Sequence, residues 1–160
     1  MEIHTIEPVF DENSRILILG SFPSVKSRET GFFYGHPQNR FWRVLSAVYG
    51  EPVPESIPQK RGLLLRTGTA VWDVIKECDI KSSGDVTIKN AKANDIMPIL
   101  KETGIQRIFC NGQTSYKLYR RLIEPVTGIA ATVVPSTSPA NASYSLERLT
   151  ECWRIIREEI

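Results

Sequence analysis

The sequence predicts an α/β protein, a three-layer α/β/α sandwich around a central, mostly parallel four-stranded sheet. Three observations lead there. Four short apolar runs are aliphatic or β-branched along their length rather than alternating, as in strands buried on both faces. Segments with helical spacing lie between these runs, so strand and helix alternate. The 160 residues suit one domain, spanning 1–160, that buries a sizeable core.

The predicted strands are residues 15–19 (RILIL), 69–75 (TAVWDVI), 106–110 (QRIFC) and 131–134 (ATVV). The first predicted helix, 39–49, carries Phe41, Trp42, Leu45, Val48 and Tyr49 on one stripe. Asn39 stands at its cap position, where a side-chain oxygen accepts from a first-turn N–H. Residues 52–58 are a proline-spaced loop, and 59–66 form a helix with Leu63 to Leu65. A polar stretch, 81–94, is expected to run over the surface. The next helix, 94–103, starts at an asparagine cap, has Pro98 early and stops at Gly104. Residues 114–124 place Ser115, Tyr119, Leu122 and Ile123 together and stop before Pro125. The last helix, 145–159, is capped by Ser145 and stripes Leu146, Leu149, Trp153, Ile156 and Ile160.

Composition narrows the function. Hydrophobic residues are 41% and charged residues 24%, an ordinary globular balance. A formal charge of +2 is too near neutral for a chain coated in nucleic acid, though it permits a local basic face. No apolar run approaches the ~20 residues of a membrane span. The N-terminal residues, with Glu2 and Glu7, lack the order of a signal peptide, so a cytoplasmic protein is expected. Cys78, Cys110 and Cys152 are far apart, and the only histidines are His4 and His36. No zinc or iron–sulfur ligand set follows from them. Buried free thiols are the plainer reading.

Ligands of such sheets sit beyond the C-terminal strand ends. Those ends read Gly20-Ser21-Phe22-Pro23-Ser24, Trp72-Asp73, Asn111-Gly112-Gln113 and Pro135-Ser136-Thr137-Ser138-Pro139. The first is no phosphate loop, since it lacks both the Gly-x-x-x-x-Gly-Lys and the Gly-x-Gly-x-x-Gly spacing. Its backbone N–H groups can face a flat ring, or it is a plain strand-to-helix turn. The last holds hydroxyl residues between prolines, which suits phosphate contacts or a simple turn. In the stretch GFFYGHPQNRFWRVL (31–45), Phe32, Phe33 and Tyr34 offer flat faces. Asn39 offers one acceptor and two donors. Trp72 and Asp73 read either as base-contacting or as core and cap.

In this order the motifs resemble the uracil-DNA glycosylase superfamily, over about residues 15–157. Gly20-Ser21-Phe22-Pro23 followed by Thr30-Gly31-Phe32-Phe33-Tyr34-Gly35-His36-Pro37-Gln38-Asn39-Arg40-Phe41-Trp42 looks like its mismatch-specific uracil/thymine branch. Pro135 to Pro139 resembles the superfamily's last motif, the loop that presses into the duplex. Two positions depart from it. Phe22 stands where that branch has its catalytic asparagine, and Val134 stands where the superfamily has His or Asn. This pattern is similar to the hypoxanthine-DNA glycosylase branch.

The resemblance implies a monofunctional glycosylase that hydrolyses the N-glycosidic bond of a deaminated base, most of all hypoxanthine. Asn39 would be catalytic, holding the attacking water. Gly20, Ser21, Phe22, Pro23, Ser24, Phe33, Tyr34, Trp72 and Asp73 would bind the base, with Tyr34 stacked on it. Lys26, Arg40, Gly112, Gln113, Ser136, Thr137, Ser138 and Pro139 would bind DNA, with Arg28 and Lys117 as further counter-charges. No metal or organic cofactor is implied. The expected partner is DNA containing a deaminated base, with downstream base-excision repair enzymes after it, no membrane, and a monomer acting at a bacterial or archaeal nucleoid. Three alternatives stay open: a uracil/thymine mismatch glycosylase, an inactive binder of damaged DNA, and a small-molecule binding domain.

Overall fold

The central sheet consists of β2 (Ile16–Gly20), β3 (Thr69–Asp73), β6 (Arg107–Asn111) and β7 (Ala131–Val134), in the order β3-β2-β6-β7 and parallel throughout. The structure, a computed structural model, describes residues 2–79 and 88–158. Every residue of β2 is buried, as a central strand covered on both faces requires. The two-residue period sends Ile16 and Ile18 to one face, where they meet α2 (Phe41–Tyr49), α3 (Ile57–Arg66) and α7 (Leu146–Trp153) through Phe41, Leu45, Leu63, Leu149 and Trp153. Leu17 and Leu19 go to the other face. There they meet α4 (Met97–Glu102) and α5 (Gln113–Leu122) through Ile99, Leu118 and Tyr119. This is the three-layer arrangement the sequence predicts.

Leaving β2 the chain goes to β3 on one side, and leaving β6 it goes to β7 on the other. The crevice therefore opens between the C-terminal ends of β2 and β6, where such sheets bind ligands. Three inserts line that rim. After β2 comes α1 (Val25–Thr30), a short helix capped by Ser24, whose hydroxyl oxygen accepts from the Ser27 N–H. After β6, Ser115 on α5 donates its hydroxyl to the Leu19 carbonyl at 2.7 Å. After β7 comes the loop that leads to α7, whose Ser145 cap is as expected.

Several boundaries differ from the sequence reading. The run 69–75 is two strands. Val74 and Ile75 turn their N–H groups to the carbonyls of Gly20 and Ser21, and β4 (Ile75–Asp79) then leaves the sheet. It pairs with β1 (Glu2–Ile3) and β5 (Lys89–Ala93) in a second, antiparallel sheet of order β1-β4-β5. Part of the expected surface stretch 81–94 is thus a strand, while 80–87 lie outside the described residues, as do the helix end at Glu159 and the stripe position Ile160. Asn94 is no cap. It is buried, and Asp95 accepts from the Met97 N–H instead. The helix α3 starts earlier than read, on a Ser56 cap with Pro58 in its first turn, where a missing N–H is harmless. Ile123 ends α5. Pro125 begins a separate turn, α6 (Glu124–Thr127), because proline cannot continue the ladder. A 3₁₀ turn, Arg154–Arg157, follows α7.

Candidate active site

Tyr34 is built to be held. Its φ is +51°, a left-handed conformation rare for a bulky residue. The Trp42 indole N–H donates to its carbonyl at 3.2 Å. Its ring lies on the Phe41 ring, with centroids 4.0 Å apart and planes 17° off parallel. The Phe-Trp pair that opens α2 therefore clamps Tyr34 from backbone and ring together. Gly35 ties the loop to α1 by donating its N–H to the Ser27 hydroxyl oxygen at 2.9 Å. The next turn closes on itself, with the Asn39 N–H donating to the His36 carbonyl at 3.0 Å.

Asn39 precedes α2 by two residues, with Arg40 at the cap position. Its Oδ1 accepts from the Phe41 N–H at 2.9 Å and from the Thr137 hydroxyl at 2.8 Å. Thr137 in turn is bound twice by Asn111 at the end of β6. Asn111 Nδ2 donates to Thr137 Oγ1, and the Thr137 N–H donates to Asn111 Oδ1, each at 3.0 Å. The Arg40 N–H donates to the Thr137 carbonyl at 3.1 Å. Three segments far apart in sequence thus converge on one carboxamide. Asn39 and Tyr34 also line a cavity of about 360 Å³, with His36, Trp42, Arg43 and Lys60 among its other walls. This lies within the size range of small-molecule sites. Burial lowers the Lys60 amine's pKa from its ordinary value.

On the other side of Tyr34, the ends of β2 and β3 meet at Gly20 and Asp73. A Cβ at Gly20 would lie 2.3 Å from Asp73 Oδ1 and 3.1 Å from the Tyr34 hydroxyl. The missing side chain is what lets carboxylate and phenol approach. Asp73 is 4% exposed and pairs with His4, whose Nε2 lies 2.8 Å from its Oδ2. The Ile6 N–H donates to His4 Nδ1 at 3.2 Å, so the ring proton sits on Nε2 and is donated to Asp73. The N-terminal segment delivers His4 by pairing with β4 and by bridging Val9 to Val71. Phe22, Phe33 and Trp72 surround the imidazole, with ring centroids 6.0, 6.2 and 6.2 Å away.

Other expected site residues fall into two groups. Lys26, Gln113, Lys117 and Pro139 are exposed on the rim, and Ser136 and Ser138 are half-buried. Lys26 reaches Glu29 at 4.0 Å, and Arg28 pairs with Glu2 at 3.0 Å while lying over the Phe22 ring. The second group turns inward. Phe33, expected to face a base, is 2% exposed and packs in the core. Thr137, expected on phosphates, is fully buried with its polar groups engaged as above. Arg40 serves the same loop, its guanidinium donating to the carbonyls of Ser138, Asn141 and Tyr144. Gly112 is buried and donates its N–H to the Val134 carbonyl at 2.9 Å. With a φ of +94° it lets Ser136 pass where a Cβ would be 3.0 Å away. Pro23 is buried, and Trp72 donates its indole N–H to the Ile6 carbonyl. Val134 is buried in the core and Phe22 half-buried against the aromatic cluster, so neither departure from the family pattern brings a polar group. His4 and Lys60 carried no sequence signal, since neither sits in a motif.

A parallel sheet whose rim, through Asn111 and Thr137, fixes a carboxamide beside a clamped tyrosine defines an α/β protein with a cavity of small-molecule size. The chain belongs to the uracil DNA glycosylase superfamily, whose pattern it matches over residues 7–157. It is 33% identical over 151 residues to the hypoxanthine DNA glycosylase of Methanosarcina acetivorans, covering 93% of this chain and 94% of that one. It is 35% identical over 137 residues to the hypoxanthine DNA glycosylase of Methanosarcina barkeri, covering 84% and 85%. A solution NMR structure from Methanosarcina acetivorans, of a candidate uracil DNA glycosylase, superposes with a TM-score of 0.80 at 29% identity and covers 97% of this chain and 98% of that one. Among the described residues no helix is long and apolar enough to cross a membrane, and no group of three or more His, Cys, Asp or Glu could hold a metal.

Proposed function

We propose that this chain, acting as one domain, is a monofunctional DNA glycosylase that releases hypoxanthine from DNA. The observation that carries the reading is the placement of Asn39 and Tyr34 on one cavity, walled by the loop that holds them, the first turn of α2, α3 and the 53–55 loop. The two hypoxanthine DNA glycosylases to which the chain is similar support the choice of base.

The target nucleotide leaves the stack at a cost of a few kcal/mol. Phe41 covers one face of Tyr34, so the everted purine stacks on the phenol from the open side, an interaction of ~1–3 kcal/mol. Backbone groups of Ser21 to Ser24 meet its edge. Hydrolysis breaks the C1′–N9 bond, and the electron pair leaves with the purine. The water oxygen bonds to C1′ and gives up a proton, and the purine takes one up. The products are free hypoxanthine and an abasic deoxyribose. A purine hydrogen-bonded at its ring atoms leaves more easily, which compensates for the absence of a polar side chain at Phe22 and Val134. Lys26, Gln113, Ser136 and Ser138 hold the backbone, while Arg40 and Thr137 brace that surface from behind. Such an enzyme works at the chromosome, inside the cell.

Single-turnover base release from duplexes carrying hypoxanthine, xanthine or uracil tests this. Hypoxanthine should leave fastest, and Asn39→Ala should slow it by about 10²–10³-fold, the usual effect of one preorganised polar group. Faster uracil release would move the substrate to a pyrimidine. Tight binding of the lesion with no release would leave a damaged-DNA binder.

A further inference from the structure

We propose that Asn39 acts as a hydrogen-bond donor to the departing base, and that Thr137 and Asn111 are the positioning residues that fix it in that sense. The inference rests on the glycosylase reading above and deepens it. A backbone N–H can only donate, so Phe41 identifies the Asn39 atom 2.9 Å away as the oxygen. The Thr137 hydroxyl then has one consistent orientation. It accepts from Asn111 Nδ2 at 3.0 Å, so its own proton is free to go to Asn39 Oδ1 at 2.8 Å. The sense of the Asn111 amide is set in the same way, because its other atom accepts the Thr137 N–H. Two backbone N–H groups, one at each end, therefore fix the direction of every hydrogen bond between them.

The consequence lies at the cavity. Asn39 lines it, whereas Phe41 and Thr137 do not. Both donors draw the amide oxygen toward the fold, and the nitrogen end is what Asn39 shows the ligand. A group that activates water as an acceptor would need the opposite sense. Two N–H hydrogens instead suit an acceptor that gains charge as the glycosidic bond breaks, which is a ring nitrogen or the carbonyl oxygen of the purine. Donors held in place before the charge develops need no reorganisation when it does. Thr137 is fully buried, so its hydroxyl cannot be exchanged for a water without opening the loop.

Four variants test this with the full chain, using single-turnover release of hypoxanthine and binding of the same duplex. Asn39→Asp keeps an acceptor for Phe41 and Thr137 but turns an oxygen to the cavity. It should be as slow as Asn39→Ala. Thr137→Val removes the hydroxyl at nearly constant shape and should slow release of bound duplex by about 10-fold or more, beyond any change in duplex affinity, while Thr137→Ser restores it. Asn111→Asp still accepts the Thr137 N–H but turns an acceptor toward the hydroxyl, reversing its proton. It should match Thr137→Val although nothing has been cut away, which a purely structural role would not produce. Thermal melts identify any variant that fails to fold, and Asn39→Asp, partly exposed, then decides alone. Release that persists in Asn39→Asp overturns the donor role. Asn111→Asp and Thr137→Val at the rate of the unaltered protein overturn the positioning role. No release by the unaltered protein from any lesion overturns the glycosylase reading, and this inference with it.

Discussion

Gly20 lacks a side chain because the Asp73 carboxylate occupies the space one would need. A methyl group there would sit 2.3 Å from Oδ1, and neither side can give way. Gly20 is the last residue of a fully buried strand, and Asp73 is tied to His4 at 2.8 Å. Gly20→Ala should therefore destabilise the fold by about 1–3 kcal/mol, the usual cost of overpacking a dense interior. Urea unfolding measures it, with an unchanged midpoint as the contrary result. Residues of this kind were unequally legible. Asn39 and Tyr34 stand five positions apart in one dense motif, so their proximity follows from local sequence. His4 meets Asp73 across 69 positions, and nothing near either residue announces the pair. Phe33 misleads for a different reason. Aromatic side chains in a loop read alike whether they face a ligand or the core, and only packing separates Phe33 from Tyr34.

The elements show the same division between local and distant causes. Helix starts at Ser24, Ser56 and Ser145 follow the capping rule, each serine accepting from the N–H three residues on. The strand read at 69–75 fails at Val74, where no local signal exists. Apolar residues continue through the break, since β3 and β4 both have buried sides. What ends β3 is a set of outside partners. Gly20 and Ser21 take the next two N–H groups, and the Asn94 side chain donates to the carbonyls of Asp73 at 2.9 Å and Ile75 at 3.1 Å. Asn94 is 7% exposed, so replacing it with alanine leaves two carbonyls without those donors in a dry setting. Asn94→Ala should cost about 1–3 kcal/mol. Amide exchange should also quicken at Val74 and Ile75 before the rest of the sheet, because the bend that aims Asp73 at the site depends on that side chain. Uniform exchange across β2 and β3 would show that the bend is held without it.

At the scale of the molecule, the alternation of strands and helices was enough to place four strand ends on one rim, and that rim is where the motifs gather. The second sheet was not legible, because β1 is two exposed residues and β5 is polar with no buried residue, while β4 reads as a continuation of β3. The thiols report on the whole structure. Cys110 lies fully buried in β6, and burial pushes its pKa from the ordinary 9.0 up to about 12. Burial also raises Cys78, whereas Cys152, expected to be buried, is exposed on α7. An aromatic disulfide reagent at neutral pH should thus modify one thiol quickly and the other two only as the chain unfolds. The sign of the pH dependence follows. Below pH 9 the Cys110 thiol is protonated in both folded and unfolded chains, and its contribution is constant. Between pH 9 and about 12 the unfolded chain loses that proton and the folded chain keeps it, so stability falls as pH rises, by up to about 1.4 kcal/mol per pH unit for one proton. Burial raises Tyr49 and Tyr119 as well, which adds to the fall, while the lowered Lys60 amine opposes it by favouring the fold as its pH window is crossed upward. Denaturant melts of the unaltered protein and of Cys110→Ala from pH 8 to 11 separate these contributions. The variant should start less stable, by the loss of a packed side chain, and then decline less steeply. Parallel slopes would mean that the Cys110 thiolate is as well accommodated in the fold as in water.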